Sequence, residues 1–520
     1  MRKSLSHGAL VGLLVTLPLV GQLYAGWKVL DFPFTPFDLF DWTTRMLPGA
    51  AATAAVDAMV RVTGSLPFGG AATAKVIEQS LAIGLVLGLG TVLGAVLLTA
   101  LSASDEPASL LGVVLGLTLG GVAVVLEQNL NRLTSPGAFV QGSWVVVMHC
   151  FWGAVLGWSS GRIRTFDVPQ PMQVTPTRSS GERRLFLRRL GAATVSIAAF
   201  GTGLGVLFGR AIDGLRGERW SSTHALPNAA ASVAPVPGTR PEFTTVERHY
   251  RIDAVTRPPA LNGDRWRLRV GGLIAQPLEM TLDEVRSHEP LHQFVTLACI
   301  SNPVGGDLIS TTRWTGVSLQ RLVGVWRPGP TASHLKFISA DGFSEVVALE
   351  RVMADARVML AYAWDGAPLP VSHGFPLRLY VPDVYGMKQP KWIQAVEVLD
   401  HWEPGYWVER GWDREGRMKS SAVVDVVAAN AQTASAERLA PVSIGGIAHA
   451  GARGIAKVEV QVDGGEWQRA ELRDPLSETT WVVWRADMPL ASGDHTVTAR
   501  SYEGDGAPQT SASHTKRART

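Results

Sequence analysis

The chain has 520 residues, of which 46% are hydrophobic and only 18% charged, a balance too apolar for a purely soluble protein of this length. Its formal charge of +3 is small, and Lys and Arg are spread along the chain without a basic stripe, which excludes nucleic acid as the partner. Only two cysteines are present, Cys150 in an apolar run and Cys299 in a polar half, so a disulfide scaffold is excluded as well.

Five apolar runs fall in the first 210 residues, at 8–27, 80–101, 109–126, 139–158 and 190–208. Each is close to the roughly 20 helical residues that a bilayer core requires. The first, with Arg2 and Lys3 before it and Tyr24-Ala25-Gly26 near its end, also has the outline of a signal peptide. Four further runs follow it, so it is predicted as a span. The semi-apolar stretch 46–62, broken by Asp57 and Arg61, is expected to be interfacial or re-entrant.

Basic residues near span ends stay in the cytoplasm. Segment 159–189 carries Arg162, Arg164, Arg178, Arg183, Arg184, Arg188 and Arg189 against Asp167 and Glu182, and the N-terminus carries Arg2 and Lys3. Both belong inside, which requires an even number of spans between them. The fifth span then carries everything after Gly209 outside, so the expected location is the cell (inner) membrane, multi-pass, with the second half on the periplasmic or extracellular side. Arg183-Arg184-Leu185-Phe186-Leu187-Arg188 admits two readings, a positive-inside anchor or a twin-arginine export signal, which moves proteins already folded around a cofactor.

Residues 224–241, rich in Ala, Ser and Pro, read as an extended linker. Short β-type runs at 266–270, 294–298, 335–339 and 377–381 then alternate with helical pieces at 282–287 and 319–325, an α+β pattern without a βαβ repeat. Beyond about Ala440 the runs 442–448, 456–462, 467–471, 481–485 and 495–502, separated by Asp463-Gly464-Gly465 and other turn signals, suggest a small sandwich of immunoglobulin type. The predicted organisation is a membrane domain (1–210), a linker (211–242), an α+β domain (243–425) and an immunoglobulin-like domain (426–520).

Cys299 ends the apolar run Phe294-Val295-Thr296-Leu297-Ala298 and opens the Gly-rich loop Ile300-Ser301-Asn302-Pro303-Val304-Gly305-Gly306-Asp307. A thiol at a strand end facing such a loop suits a soft metal, held as thiolate; a small buried core residue is the plainer reading. His288-Glu289-Pro290-Leu291-His292 spells a zinc-protease pattern, but Pro290 breaks the continuous helix that the two histidines need.

Thr296-Leu297-Ala298-Cys299-Ile300-Ser301-Asn302, followed by Ile309-Ser310-Thr311-Thr312-Arg313-Trp314-Thr315-Gly316-Val317, resembles the segment of sulfite oxidases that presents the molybdenum-ligating cysteine. A second block, Asp365-Gly366-Ala367-Pro368-Leu369-Pro370 through His373-Gly374-Phe375-Pro376-Leu377-Arg378 to Tyr385-Gly386-Met387-Lys388-Gln389-Pro390-Lys391-Trp392, is similar to that family's pterin-binding region. Gly454-Ile455-Ala456-Lys457-Val458-Glu459-Val460 and Gly493-Asp494-His495-Thr496 look like its dimerisation domain, so the likeness covers nearly all of 243–510 and none of the membrane half.

The resemblance implies a membrane α-helical bundle of five spans followed by a sulfite-oxidase-like molybdopterin-binding domain and the sandwich. It implies a molybdenum-molybdopterin cofactor with Cys299 as the metal's protein ligand, and His373, Arg378, Lys388 and Lys391, with Asn302, as cofactor-binding residues. Taken alone, each of these cations is more often a solvated surface charge. Trp314 matches a pocket-lining tryptophan, or is simply a core aromatic, and Arg251 stands where an arginine faces the substrate anion. Two departures count against sulfite itself: Pro303 and Val304 replace an expected arginine, and Trp412 replaces a tyrosine expected near 407–410. A less charged S- or N-oxide fits these replacements. Further implications are a separate electron-transfer partner, cytochrome or quinone-linked, and a homodimer. The rival expectation is a non-enzymatic surface scaffold or adhesion protein with Cys299 merely buried.

Overall fold

The computed structural model describes residues 2–64, 71–101, 107–130, 137–167, 178–213, 225–429, 440–491 and 493–510. Parts of the basic segment (168–177), of the linker (214–224) and of the approach to the sandwich (430–439) lie outside the described residues. The chain forms two compact units. The first comprises Met1–Leu47, Lys75–Gly217 and Ala254–Ala260; the second comprises Pro48–Ala74, Glu218–Asp253 and Leu261–Thr520.

The N-terminal half is helical: α1 (Arg2–Leu30), α2 (Thr35–Met46), α3 (Gly49–Gly64), α4 (Ala71–Leu101), α5 (Ala108–Asn129), α6 (Ala138–Asp167) and α7 (Arg178–Asp213). In long apolar stretches a helix satisfies every backbone polar group within the segment. Among the described residues, Leu5–Leu30, Thr73–Ala100, Ala108–Asn129 and Ala138–Arg164 are long and apolar enough to cross a membrane. The fifth predicted run lies in α7, which is not among them. Arg183, Arg184, Arg188 and Arg189 occupy its first half and confine the apolar part to its end. Small residues bring the backbones of the first unit together. A Cβ at Gly112 or Gly116 of α5 would strike the carbonyl of Gly153 or His149 on α6, and one at Gly21 of α1 would sit 2.8 Å from Ala198 Cα on α7. Segment Ala254–Ala260 is held within this unit: the Thr256 amide donates to Asp41 Oδ1 at 2.7 Å, and Lys75 donates to the Val255 carbonyl at 2.6 Å.

Helix α3 answers the question raised by stretch 46–62. It belongs to the second unit, where the Thr53 hydroxyl accepts from Trp412 Nε1 at 3.0 Å and Val56 packs on the cluster of Ala298, Ile300, Tyr385 and Trp412. Its half-apolar pattern is that of a helix with one face on a protein core.

The strands of the second unit are β1 (Arg267–Gly272), β2 (Leu278–Thr281), β3 (Pro290–Ala298), β4 (Ile309–Ser318), β5 (His334–Ser339), β6 (Ser344–Ala348), β7 (Met359–Trp364), β8 (Ala367–Pro368), β9 (Arg378–Tyr380), β10 (Ile393–Leu399), β11 (Ser421–Ala429), β12 (Ala440–His449), β13 (Ile455–Val462), β14 (Gln468–Arg469), β15 (Glu471–Leu472), β16 (Val482–Leu490) and β17 (Val497–Glu503). One mixed sheet has the order β2-β1-β10-β5-β6; a second, antiparallel, runs β3-β4-β7-β8 with β9 also paired to β7. Trp266, Leu268, Trp326, Phe337 and Val396 fill the core of this α+β domain. Pro290 begins β3 while His288 ends a short helix (Leu282–Ser287), so the two histidines of the zinc-like pattern do not share a helix.

The last strands make two sheets, β11-β12-β16-β15 and β14-β13-β17, around Ile444, Val458, Val460 and Trp484. Strand β11, which starts before the predicted boundary at 426, pairs with β12 along its length. Residues 225–242 contain no helix or strand, and Arg473 holds them down through Glu242 (2.9 Å) and the carbonyls of Asn228 (2.9 Å) and Val233 (2.7 Å).

Candidate cofactor site

The second half of β3 is buried continuously, and Cys299 follows it directly. The Cys299 amide donates to the Leu308 carbonyl at 2.9 Å, and Asn302 Oδ1 accepts from the Leu308 amide at 2.9 Å, which closes loop 300–308. Gly306 allows this closure, because a Cβ there would lie 2.6 Å from Asn302 Oδ1. Cys299 is 9% exposed, within the cluster that contains Tyr250, Trp314, Trp364 and Tyr380. Burial, and then the charge of Cys299, pushes the hydroxyl pKa of Tyr250 up, and burial does the same for Tyr385. Both phenols therefore stay protonated beside the sulfur.

A cationic, aromatic cluster adjoins this sulfur through Tyr250. Arg378 on β9 is 3% exposed, with its guanidinium 4.5 Å from the ring centroid of Trp314 and 5.3 Å from that of Trp364. Its Nη1 donates to the His373 carbonyl at 3.1 Å, and burial holds the group down to about 10. His249 stacks between Tyr250 (5.3 Å) and Trp364 (4.5 Å), with His373 at 5.3 Å. Burial lowers His249 to about 3 and His373 well below its usual value, so both imidazoles are neutral. Lys391, lowered to about 8 chiefly by burial, pairs with Asp253 and donates to the Ile252 carbonyl at 3.1 Å; Arg251 reaches the same carboxylate at 2.6 Å.

The fold thus gathers His373, Arg378, Lys391, Arg251 and Trp314 in one place, with Cys299 and Asn302 beside them. It takes Lys388 elsewhere: that ammonium bonds Glu345 at 2.5 Å, whose own pKa burial raises. Trp314 is 0% exposed and lies against the Arg378 guanidinium, which it supports. Sequence reasoning missed His249, Tyr250, Asp253 and Trp364. His249, Tyr250 and Asp253 adjoin Arg251, whose match to the family's anion-facing arginine is the pointer to this segment.

Whether these residues suit a pterin cofactor is tested by what they leave unsatisfied. Arg378 Nε, His249 Nε2, Trp314 Nε1, Trp364 Nε1 and Arg251 Nη2 are buried and have no hydrogen-bond partner among the described residues. Each such atom costs about 1–3 kcal/mol, and here they cluster around Arg378, Lys391 and Arg251, with Asp253 as the compensating acid. A site with excess positive charge and unfilled polar atoms around a single thiol fits an anionic, acceptor-rich cofactor that carries a soft metal.

Comparison with known proteins gives the same answer. Residues 255–407 match the family model described as "Oxidoreductase molybdopterin binding domain". The chain carries a sulfite-oxidase-family molybdopterin oxidoreductase domain. It is similar to the sulfite oxidase of Gallus gallus, 28% identical over 45% of this chain and 61% of that protein. It is also similar to a nitrate reductase of Phaseolus vulgaris, 24% identical over 50% of this chain and 36% of that one. These matches span from about a third to three-fifths of the relatives' own lengths. A chain of the sulfane dehydrogenase SoxCD from Paracoccus pantotrophus aligns at 20% identity and TM-score 0.45, over 57% of this chain and 82% of that one, a likeness too loose to argue from. The molybdenum-molybdopterin group of sulfite-oxidase-family domains is the cofactor that the unsatisfied cluster fits.

Proposed function

We propose that the protein is a membrane-anchored molybdopterin oxidoreductase that transfers an oxygen atom to or from a small S- or N-oxide substrate on the outer face of the membrane. The observation that carries this reading is the convergence of one strand-end thiol, Cys299, with the unsatisfied buried donors around Arg378. A surface scaffold has no use for such a cluster.

Cys299 would be the protein ligand of the metal, while Arg378, His373, Lys391 and Arg251 would compensate the cofactor's negative charge. When bound, the cofactor supplies two-electron redox chemistry with oxygen-atom transfer. The chain's part is to hold charge and exclude water. Asp253 fixes Lys391 and Arg251, Trp314 and Trp364 support the Arg378 guanidinium, and Tyr250 and Tyr385 remain proton-bearing hydroxyls beside the sulfur.

The supporting context is physical. The four apolar helices suit a membrane anchor, and the apolar end of α7 would make the fifth span that the basic segment's orientation requires. The arginines at the start of α7 would then serve as the twin-arginine signal for a domain loaded with cofactor before export. The two-sheet C-terminal layer would be the immunoglobulin-type domain and the homodimer contact. Electrons would pass to or from a separate cytochrome or quinone-linked carrier, because reduction of an oxide consumes two electrons and two protons and releases water.

The purified, loaded protein is expected to reduce dimethyl sulfoxide or trimethylamine N-oxide with a reduced viologen dye faster than it oxidises sulfite with ferricyanide. A loaded enzyme that turns over only sulfite would overturn the substrate assignment.

A further inference from the structure

A pocket opens beside the Cys299 loop, bounded by Asn302, Val304, Tyr385, Lys419, Ile447 and His449. Ala298, on the other side of Cys299 in sequence, also lines it. The pairing of β11 with β12 builds this wall: Ser421 lies opposite His449 in register, and both face the pocket.

His449 is the residue that nothing so far explains. It is 5% exposed, and neither ring nitrogen has a hydrogen-bond partner among the described residues. Burial, reinforced by Arg453, lowers its pKa to about 3, so at neutral pH it is an uncharged imidazole with one N–H to donate and one nitrogen to accept. Arg240, which also lines the pocket, is already engaged by Asp425 at 2.7 Å and by the carbonyls of Gly306 (3.2 Å) and Gly305 (3.4 Å). Pro303 and Val304 are apolar, and among the described residues the other cation of the lining is Lys419. Such a pocket is poorly matched to a dianion and well matched to a molecule with one polar oxygen and apolar substituents.

Resting on the reading of Cys299 as the metal-bearing residue, we infer that His449 is the specificity-determining residue of this pocket. It hydrogen-bonds the oxygen of a neutral oxide, of the sulfoxide or amine N-oxide class, while Val304 and Ile447 receive the apolar part. The substrate is thus recognised in part by the C-terminal sandwich, through a neutral donor.

The test uses the full-length, detergent-purified enzyme with its molybdenum content measured, comparing wild type with His449→Phe and His449→Gln. In viologen-driven reduction of dimethyl sulfoxide, His449→Phe is expected to raise KM about 10-fold or more with kcat within about 3-fold, and His449→Gln, which keeps a donor and an acceptor, to restore most of the loss. Dimethyl sulfoxide should also shift the electron paramagnetic resonance spectrum of the half-reduced wild type but not that of His449→Phe. Equal molybdenum content with unchanged KM in both variants would overturn the inference and leave the proposed function standing. A wild-type protein that takes up no molybdenum would overturn both.

Discussion

At the scale of single residues the second unit keeps the imidazoles of His249, His373 and His449 buried and neutral. His249 and His449 are both held near 3 by burial, against an ordinary value of 6.5. Below pH 6.5 the unfolded chain takes up a proton on each, while the folded chain takes none until about pH 3. The stability they leave intact above pH 6.5 is therefore withdrawn as the pH falls through that window, by about 1.4 kcal/mol per pH unit for each group. His249→Gln removes one of the two, so thermal melts of the variant between pH 4 and 7 should lose Tm less steeply on acidification than wild type. Equal slopes would contradict the burial of a neutral His249. Lys391 acts in the opposite range: its folded value of about 8 lies below the ordinary 10.5, so the burden of burying its charge is relieved as pH rises from 8 to 10.5.

The elements show why some of this was legible in the sequence and some was not. Strand β3 could be placed from its unbroken apolar run, and Cys299 at its end from the turn residues that follow, because burial on both sides leaves a local signature. Lys388, Lys391 and Arg378 looked alike as basic residues of one block; only the tertiary fold sends Lys388 to Glu345 and the other two toward His373 and Asp253. His449 was invisible for the same reason, since it enters the site from a domain more than a hundred residues downstream of Cys299. Helix α3 carried an ambiguous half-apolar pattern, because a helix lying on a protein core and one lying on a membrane surface bury similar faces. Its contact is specific, however: the Thr53 hydroxyl is the acceptor for the buried Trp412 indole. Thr53→Val should remove that hydrogen bond and cost about 1 kcal/mol. The loss would appear in denaturant melts of the second unit, and a variant as stable as wild type would show that α3 contributes no ordered contact there.

For the whole molecule, the sequence made the division into an apolar helical half and a mixed soluble half plain, because composition changes at the boundary. It did not show that the division is interleaved, with Pro48–Ala74 folding into the second unit and Ala254–Ala260 into the first. Such exchanges depend on pairings like Thr256 with Asp41, which no local pattern announces. The central claim is that this whole assembly exists to hold a molybdenum cofactor at Cys299. It is tested most directly by measuring molybdenum and pterin in the full-length protein, purified from cells with ample cofactor supply, beside a Cys299→Ser variant. The account predicts about one molybdenum and one pterin per wild-type chain, and a variant that folds but loses the metal or changes its spectrum. A folded wild-type protein with neither molybdenum nor pterin, or a variant identical to wild type in content and spectrum, would contradict it.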